Sequence, residues 1–308
     1  MDDLSQAALS PALGVACGLL IAASIAVWVS AAVRLGRGRP VLPYEPRRRV
    51  PWRAADVLLV FLLFELPLVI ALALGILLGS DFAEPPTART AEQVDVEHPI
   101  VDLLGADPSL TTWLLCGLVA VVIAPVVEEF MYRLVLQGWL EAGERRARRR
   151  LVLLRPLARG VGPVLFVSLL FALRHFRHGE PSMEADQIKQ VLVFQAVWSL
   201  LAFGLALGLL RIRSGATAAD LGFVREKFFG DVRLGLIVFG AITGPVLVLQ
   251  YALTRIELSQ HFAADPIPLF FFALALGTVY YRTHRIVPAI VTHMAFNATA
   301  LGLAWLQL

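Results

Sequence analysis

Cysteine is nearly missing from this chain. Two, Cys17 and Cys116, occur in 308 residues. Both lie inside apolar runs, which argues against a disulfide framework, and no CxxC pair exists to hold zinc or run thiol redox chemistry. There is no HExxH signature and no Gly-rich phosphate loop, so neither the common helical zinc-protease motif nor nucleotide binding is indicated. No short internal repeat is present. The segments "GLALGLLRIRSGA" (204–216) and "ALALGTVYYRTHRI" (273–286) share only small residues, an apolar run and an arginine. They read as two similar helix ends, not as the inverted repeat of a transporter. The first ten residues, "MDDLSQAALS", lack the positive charge of a secretory leader. The apolar run after them is about 20 residues long, beyond the length of a signal-peptide core, and is expected to stay as a first helix.

What the chain has in excess is apolar residues: 58% of the total, with a mean hydropathy of +0.72. Soluble domains hold roughly 45–50%. Apolar runs near the bilayer-crossing length of about 20 residues recur at roughly 11–33, 54–79, 110–140, 160–176, 191–210, 234–254, 267–281 and 286–306. A lipid-exposed backbone must satisfy its own hydrogen bonds, so all eight are expected as helices. The expectation is an all-α polytopic membrane bundle of about eight transmembrane helices, embedded in a lipid bilayer. Residues 1–109 would form an N-terminal two-helix region with an acidic external loop, and residues 110–308 the main bundle.

The sequence pI near 9.1 does not point to nucleic acid, because the arginines cluster beside the apolar spans. With the loop after the first span placed in the cytoplasm, the loops 34–53, 141–159, 211–233 and 282–285 hold 21 Arg and Lys. The opposite loops 80–109, 177–190 and 255–266 hold 4. Positive charge favours the cytoplasmic side, which places both termini outside it. "EAGERRARRR" is then a cytoplasmic topology signal, with a lipid-headgroup site as the sharper reading.

Against this background "APVVEEFMYRLVLQGWL" (124–140) is anomalous, since Glu128, Glu129 and Arg133 interrupt an apolar run. Each charge at a span centre costs on the order of 2.5–3.5 kcal/mol. Glu129 and Arg133 are four apart and can pair on one helix face. Glu128 is rotated by roughly 100° from Glu129 and has no partner on its own helix. Pro125 is placed to kink the helix just before them. The bland reading is a set of interfacial charges solvated by water. "FALRHF" (171–176) adds His175, and "VTHMAFN" (291–297) adds His293 and Asn297 one turn apart. A lone His is more often a packing residue, and an intramembrane Asn can simply join helices. At about 1.5 Å per residue, Glu128 lies roughly 18 Å from the cytoplasmic side, His175 roughly 22 Å, His293 roughly 10 Å and Asn297 roughly 16 Å, close enough for one cavity.

Glu128-Glu129-xxx-Arg133, Phe171-xxx-His175 and His293-xxx-Asn297, in this order and each on an apolar span, resemble the three motifs of the CPBP family. That family groups type II CaaX prenyl endopeptidases with bacteriocin-processing and Abi-like immunity proteins of prokaryotic plasma membranes. The resemblance covers roughly 110–176 and 267–300. Nearly 120 residues separate the two histidines, so a helical region at about 190–260 reads as inserted. The resemblance implies an intramembrane endopeptidase, of metalloprotease type, that hydrolyses a peptide bond in a membrane-associated protein or peptide. It implies Glu128 as general base, His175 and His293 as metal ligands or catalytic histidines, and Asn297 as a ligand or oxyanion donor. Glu129 and Arg133 would support the site. A divalent metal, usually zinc, is the implied cofactor. The competing classes are a non-catalytic scaffold or immunity factor of the same fold, and a transporter using the polar cavity.

The 21-to-4 cation asymmetry predicts that tags at both termini are reached by membrane-impermeant reagents in intact cells. Protection of both tags would invert the topology; protection of one would mean an odd number of spans.

Overall fold

The computed structural model describes residues 11–45, 50–78, 99–150, 158–175, 184–255 and 266–306. Residues 1–10, most of the expected acidic loop 80–109 and large parts of the expected loops 177–190 and 255–266 lie outside the described residues. The described residues are helical with no strand. The helices are α1 (Pro11–Gly36), α2 (Ala54–Leu78), α3 (Pro99–Ala106), α4 (Leu110–Arg150), α5 (Val161–Arg174), α6 (Ala185–Ser214), α7 (Phe228–Arg255), α8 (Pro266–Thr283) and α9 (Val287–Trp305). Each expected apolar segment is a helix. Five are long and apolar enough to cross a membrane by length and composition, and α5 is a shorter apolar helix. Crossing by all eight remains an expectation of the sequence.

Two departures have simple causes. The outer segment expected as a solvated loop contains α3, whose Leu103 and Leu104 are fully buried. Its start carries only Asp102, so one face is free to pack. At the other end of α4 the helix does not stop where the apolar residues stop. It runs through "EAGERRARRR" to Arg150, because Arg and Glu are good helix formers and Glu144 pairs with Arg148 one turn on, at 2.6 Å.

α4 is the central helix and is not uniformly α. Ser109 caps its start, accepting the Thr112 N–H. Around Pro125 the ladder changes pitch. Proline has no N–H to continue the ladder, and the Ala124 N–H reaches back five residues to the Val119 carbonyl, closing a π-helical stretch over Leu118–Ile123. A second covers Glu129–Gln137, with all nine residues buried, and the Gly138 N–H bonds to the Arg133 carbonyl. The expected proline kink is thus taken up as wide turns flanking Glu128, a feature frequent at functional sites.

The other helices clasp α4 and one another through small residues, which let backbones approach in lipid. α7 lies between α9 and α1. On one side Thr292 donates to the Gly235 carbonyl at 2.9 Å, and a Cβ on Gly235 would sit 2.7 Å from Val291. On the other, Ser24 and Trp28 both donate to the Ala241 carbonyl, at 3.0 and 2.9 Å, beside Gly240 and Gly244. Trp52, before α2, donates to the Val135 carbonyl inside the second wide turn at 3.0 Å.

Polar pins fix the ends. Asp107 bonds Lys189 of α6 at 2.6 Å and accepts from the Thr112 hydroxyl at 2.6 Å. Lys189, the Thr112 hydroxyl and the Ser109 N–H hold the Asp107 carboxyl well below the usual carboxylate range. A depressed carboxylate contributes stability above its unfolded pKa of about 3.9. That contribution is lost only as pH falls through the lower folded value. At the basic end, Arg285 of the α8–α9 turn pairs with buried Asp231 of α7 and with Glu45 at 3.2 Å, while Lys227 reaches Glu45 at 2.7 Å.

Gly160 opens α5 with φ +78°, and an added Cβ would lie 1.8 Å from the Tyr281 ring. Its N–H is held by both Glu144 oxygens, at 3.2 and 3.0 Å. Gly160→Ala is predicted to destabilise by at least about 1–2 kcal/mol from the left-handed conformation alone, with the clash in addition. Gly143→Ala, which meets nothing within 4 Å, should be neutral or mildly stabilising. Thermal unfolding of the two variants in detergent checks this.

Candidate active site

The motif residues converge from three helices. α4 brings Glu128, Glu129 and Arg133; α5 ends at Arg174, so that His175 caps it; α9 brings His293 and Asn297. His175 Nε2 lies 3.8 Å from one Glu128 oxygen. His293 Nε2 lies 3.8 Å from the other. Glu128, which has no partner along its own helix, faces two imidazoles from elsewhere in the chain.

The other ring nitrogens fix the tautomers. His175 Nδ1 lies 2.8 Å from the Phe171 carbonyl, which can only accept, so Nδ1 carries the proton. His293 Nδ1 lies 2.9 Å from Glu129 Oε1 and donates to that carboxylate. In the neutral rings both Nε2 atoms then present lone pairs toward Glu128. Each Nε2 and the Glu128 oxygen it faces, both acceptors, stand 3.8 Å apart, and the space between them suits a bridging donor such as water.

Behind this face lies a dry layer. Glu129 and Arg133 are fully buried, and Arg133 Nε stands 3.3 Å from Glu129 Oε2. The attraction is Coulombic rather than an aligned hydrogen bond. None of the three guanidinium nitrogens has a hydrogen-bond partner among the described residues. The cation instead rests over the Phe171 ring, 5.2 Å from its centroid, where a desolvated cation–π contact is worth about 2 kcal/mol. Phe171, fully buried, also meets His175 at 4.5 Å, His293 at 5.8 Å and Tyr132 at 5.4 Å between ring centroids. Phe272 closes the far side of His293 at 5.3 Å. These aromatic neighbours restrict both imidazoles to narrow ranges of orientation.

Asn297 is placed differently. Its Nδ2 donates to the Ala120 carbonyl at 2.8 Å, inside the first wide turn of α4. This bond joins α9 to α4 and uses one of the two Nδ2 hydrogens, so the second stays available as a donor. Among the described residues no group of three His, Cys, Asp or Glu side chains is disposed to hold a metal ion. One feature does suit a metal: each histidine has its Nδ1–H anchored by a carbonyl or carboxylate, the usual support of a metal-bound imidazole.

Two charged residues here are not singled out by the sequence reading. Glu65, the sole carboxylate in residues 57–78, binds Arg174 beside His175, its oxygens 3.1 and 3.3 Å from Nη2. A lone carboxylate inside an apolar span was the available signal.

Removing Arg133 strands a buried carboxylate. Arg133→Ala is predicted to cost about 3–5 kcal/mol and to lower membrane abundance. Glu129→Gln should be intermediate, and Arg133→Lys should rescue in part, lacking the planar fork. Thermal stability and abundance of the three variants, side by side, test this; wild-type stability of Arg133→Ala would show the pair to be solvated.

Residues 110–223 and 225–299 match the family model described as type II CAAX prenyl endopeptidase Rce1-like. No curated protein and no solved structure matches the chain. The matched segments carry all three motifs and more than half of the chain, and the family is one of CAAX-type intramembrane proteases. The chain, a multi-pass membrane protein by its apolar helices, belongs to the type II CAAX prenyl endopeptidase Rce1-like family.

Proposed function

We propose that this protein hydrolyses a peptide bond of a membrane-associated protein or peptide, with Glu128 activating the attacking water. The observation that carries this reading is the disposition of both Nε2 atoms at 3.8 Å from the two Glu128 oxygens. A water between Glu128 and His175 donates its protons to two acceptors. Glu128 takes one proton as the hydroxide adds to the scissile carbonyl, and later returns it to the leaving amine. His293, with its Nδ1–H on Glu129, is held in one orientation. Its Nε2 lone pair is thereby kept turned toward Glu128 and the water that Glu128 activates, as the buried carboxylate of a serine-protease triad fixes its histidine. The tetrahedral intermediate then collapses, the C–N bond breaks, and the two products carry the carboxylate and the amine.

A divalent metal belongs to the proposal only as an addition. His175 and His293 would hold it through Nε2, and when bound it would supply a water with a pKa near about 7. Every step above is assigned to side chains of this chain. The plasma membrane of a prokaryote is the expected location.

Glu128→Gln is predicted to lose at least about 10²–10⁴-fold in cleavage while inserting and accumulating normally. Cleavage of a membrane peptide by the purified variant at the wild-type rate would remove Glu128 from the catalytic role. Metal analysis of detergent-purified protein should give about one divalent ion per chain, dropping in either His→Ala variant; activity that survives thorough chelation in metal-free protein would remove the metal and leave Glu128 and the histidines.

A further inference from the structure

The Glu65–Arg174 pair is hard to explain as a stabilising device. Glu65 sits eleven residues into α2, and Arg174 is the last residue of α5. Glu65 is therefore well inside an apolar helix, where a charge is costly, and its partner comes from the end of a neighbouring helix. The side chains are 35% and 59% exposed, so the pair is not buried, and exposed pairs contribute little. An ionisable pair so placed, and open on one side, is a candidate for binding.

Its geometry is also incomplete. Arginine and carboxylate pair best fork to fork, through two parallel N–H···O bonds. Here a single nitrogen, Nη2, contacts both Glu65 oxygens, at 3.1 and 3.3 Å. The guanidinium makes no other hydrogen bond among the described residues. It carries unused donors on the exposed side while Glu65 holds it from the other.

Its place is next to the reacting centre. Arg174 precedes His175, whose Nε2 faces Glu128 at 3.8 Å. Tyr132, one helical turn beyond Glu128, meets Phe61 of α2, one turn before Glu65, edge to face at 6.0 Å between ring centroids. The family name specifies a C-terminal C-a-a-X tail. A cut within such a tail leaves its terminal carboxylate at most about three residues from the scissile bond, roughly 10 Å of extended chain. A cation at about that remove would meet it.

We propose that Arg174 is a specificity-determining residue that takes the terminal carboxylate of the substrate, with Glu65 holding the guanidinium in place until the substrate arrives. This rests on the protease reading for its substrate class but is tested by binding as well as by cleavage. The probe is a farnesylated peptide ending in Cys-Val-Ile-Met, made once with a free carboxylate and once as the carboxamide. Full-length Glu128→Gln protein in detergent should bind the acid about tenfold or more tightly than the amide, the scale of one hydrogen-bonded charge contact. Adding Arg174→Gln should weaken the acid alone and bring the two peptides level. Arg174→Lys should keep part of the preference, and Glu65→Gln, which weakens the hold on the guanidinium, should reduce it without abolishing it. In the active protein, Arg174→Gln should raise KM for the acid with kcat nearly unchanged. Equal binding of acid and amide by Glu128→Gln overturns the assignment. So does an equal loss of both peptides on Arg174→Gln, which would mark a structural role, or binding of neither. Carboxylate-selective binding without cleavage by the wild-type protein would keep Arg174 in its role and sink the protease reading instead.

Discussion

Glu129 stands between two partners that could not share the interior without it. Arg133 is a permanent cation with no exposure to solvent, and His293 needs an acceptor on Nδ1 to turn its other nitrogen toward Glu128. One carboxylate serves both. If it were absent, the guanidinium would have only the Phe171 face, and the imidazole could flip its tautomer. Adjacent in the helix, Glu128 and Glu129 are turned roughly 100° apart and lie on different faces of α4. One face is dry and holds; the other is partly open, with Glu128 26% exposed. The division of labour between two adjacent, chemically identical side chains follows from that difference in surroundings.

Much of this was legible in the residues. The eight apolar runs all became helices because a backbone in lipid has no other way to satisfy itself. Glu128, His175 and His293 drew notice because charge and imidazole are costly where the neighbours are apolar. The closing partners were not legible. His293 and Glu129 are 164 positions apart, and nothing local in either segment encodes their bond. The direction of Asn297, toward a backbone carbonyl and not toward the carboxylates, depends on the rotation of α9 against α4.

The pitch of α4 was equally hidden. Pro125 announced a disturbance but not its form, since a kink and a five-residue hydrogen-bond return both accommodate a missing N–H. Helix α3 was masked by the acidic composition around it, although its two consecutive leucines are among the most buried residues of the chain. The end of α4 is not legible in the residues, because falling hydropathy signals the end of a span and says nothing about the end of a helix.

The seam between α1 and α7 has a consequence for what counts as the working unit. The family match starts at residue 110, so α1 and α2 lie upstream of it. Yet α1 grips the Ala241 carbonyl of α7 with two side chains, and α7 is in turn the long flank of α9, which carries His293. From before α2, Trp52 fastens the Val135 carbonyl of α4. The upstream helices therefore act as an outer brace on the two helices that carry most of the motif residues. Residues 110–308 expressed alone would lose that brace and expose a strip of glycine backbone to lipid. The region recognisable by descent is smaller than the region that is mechanically whole.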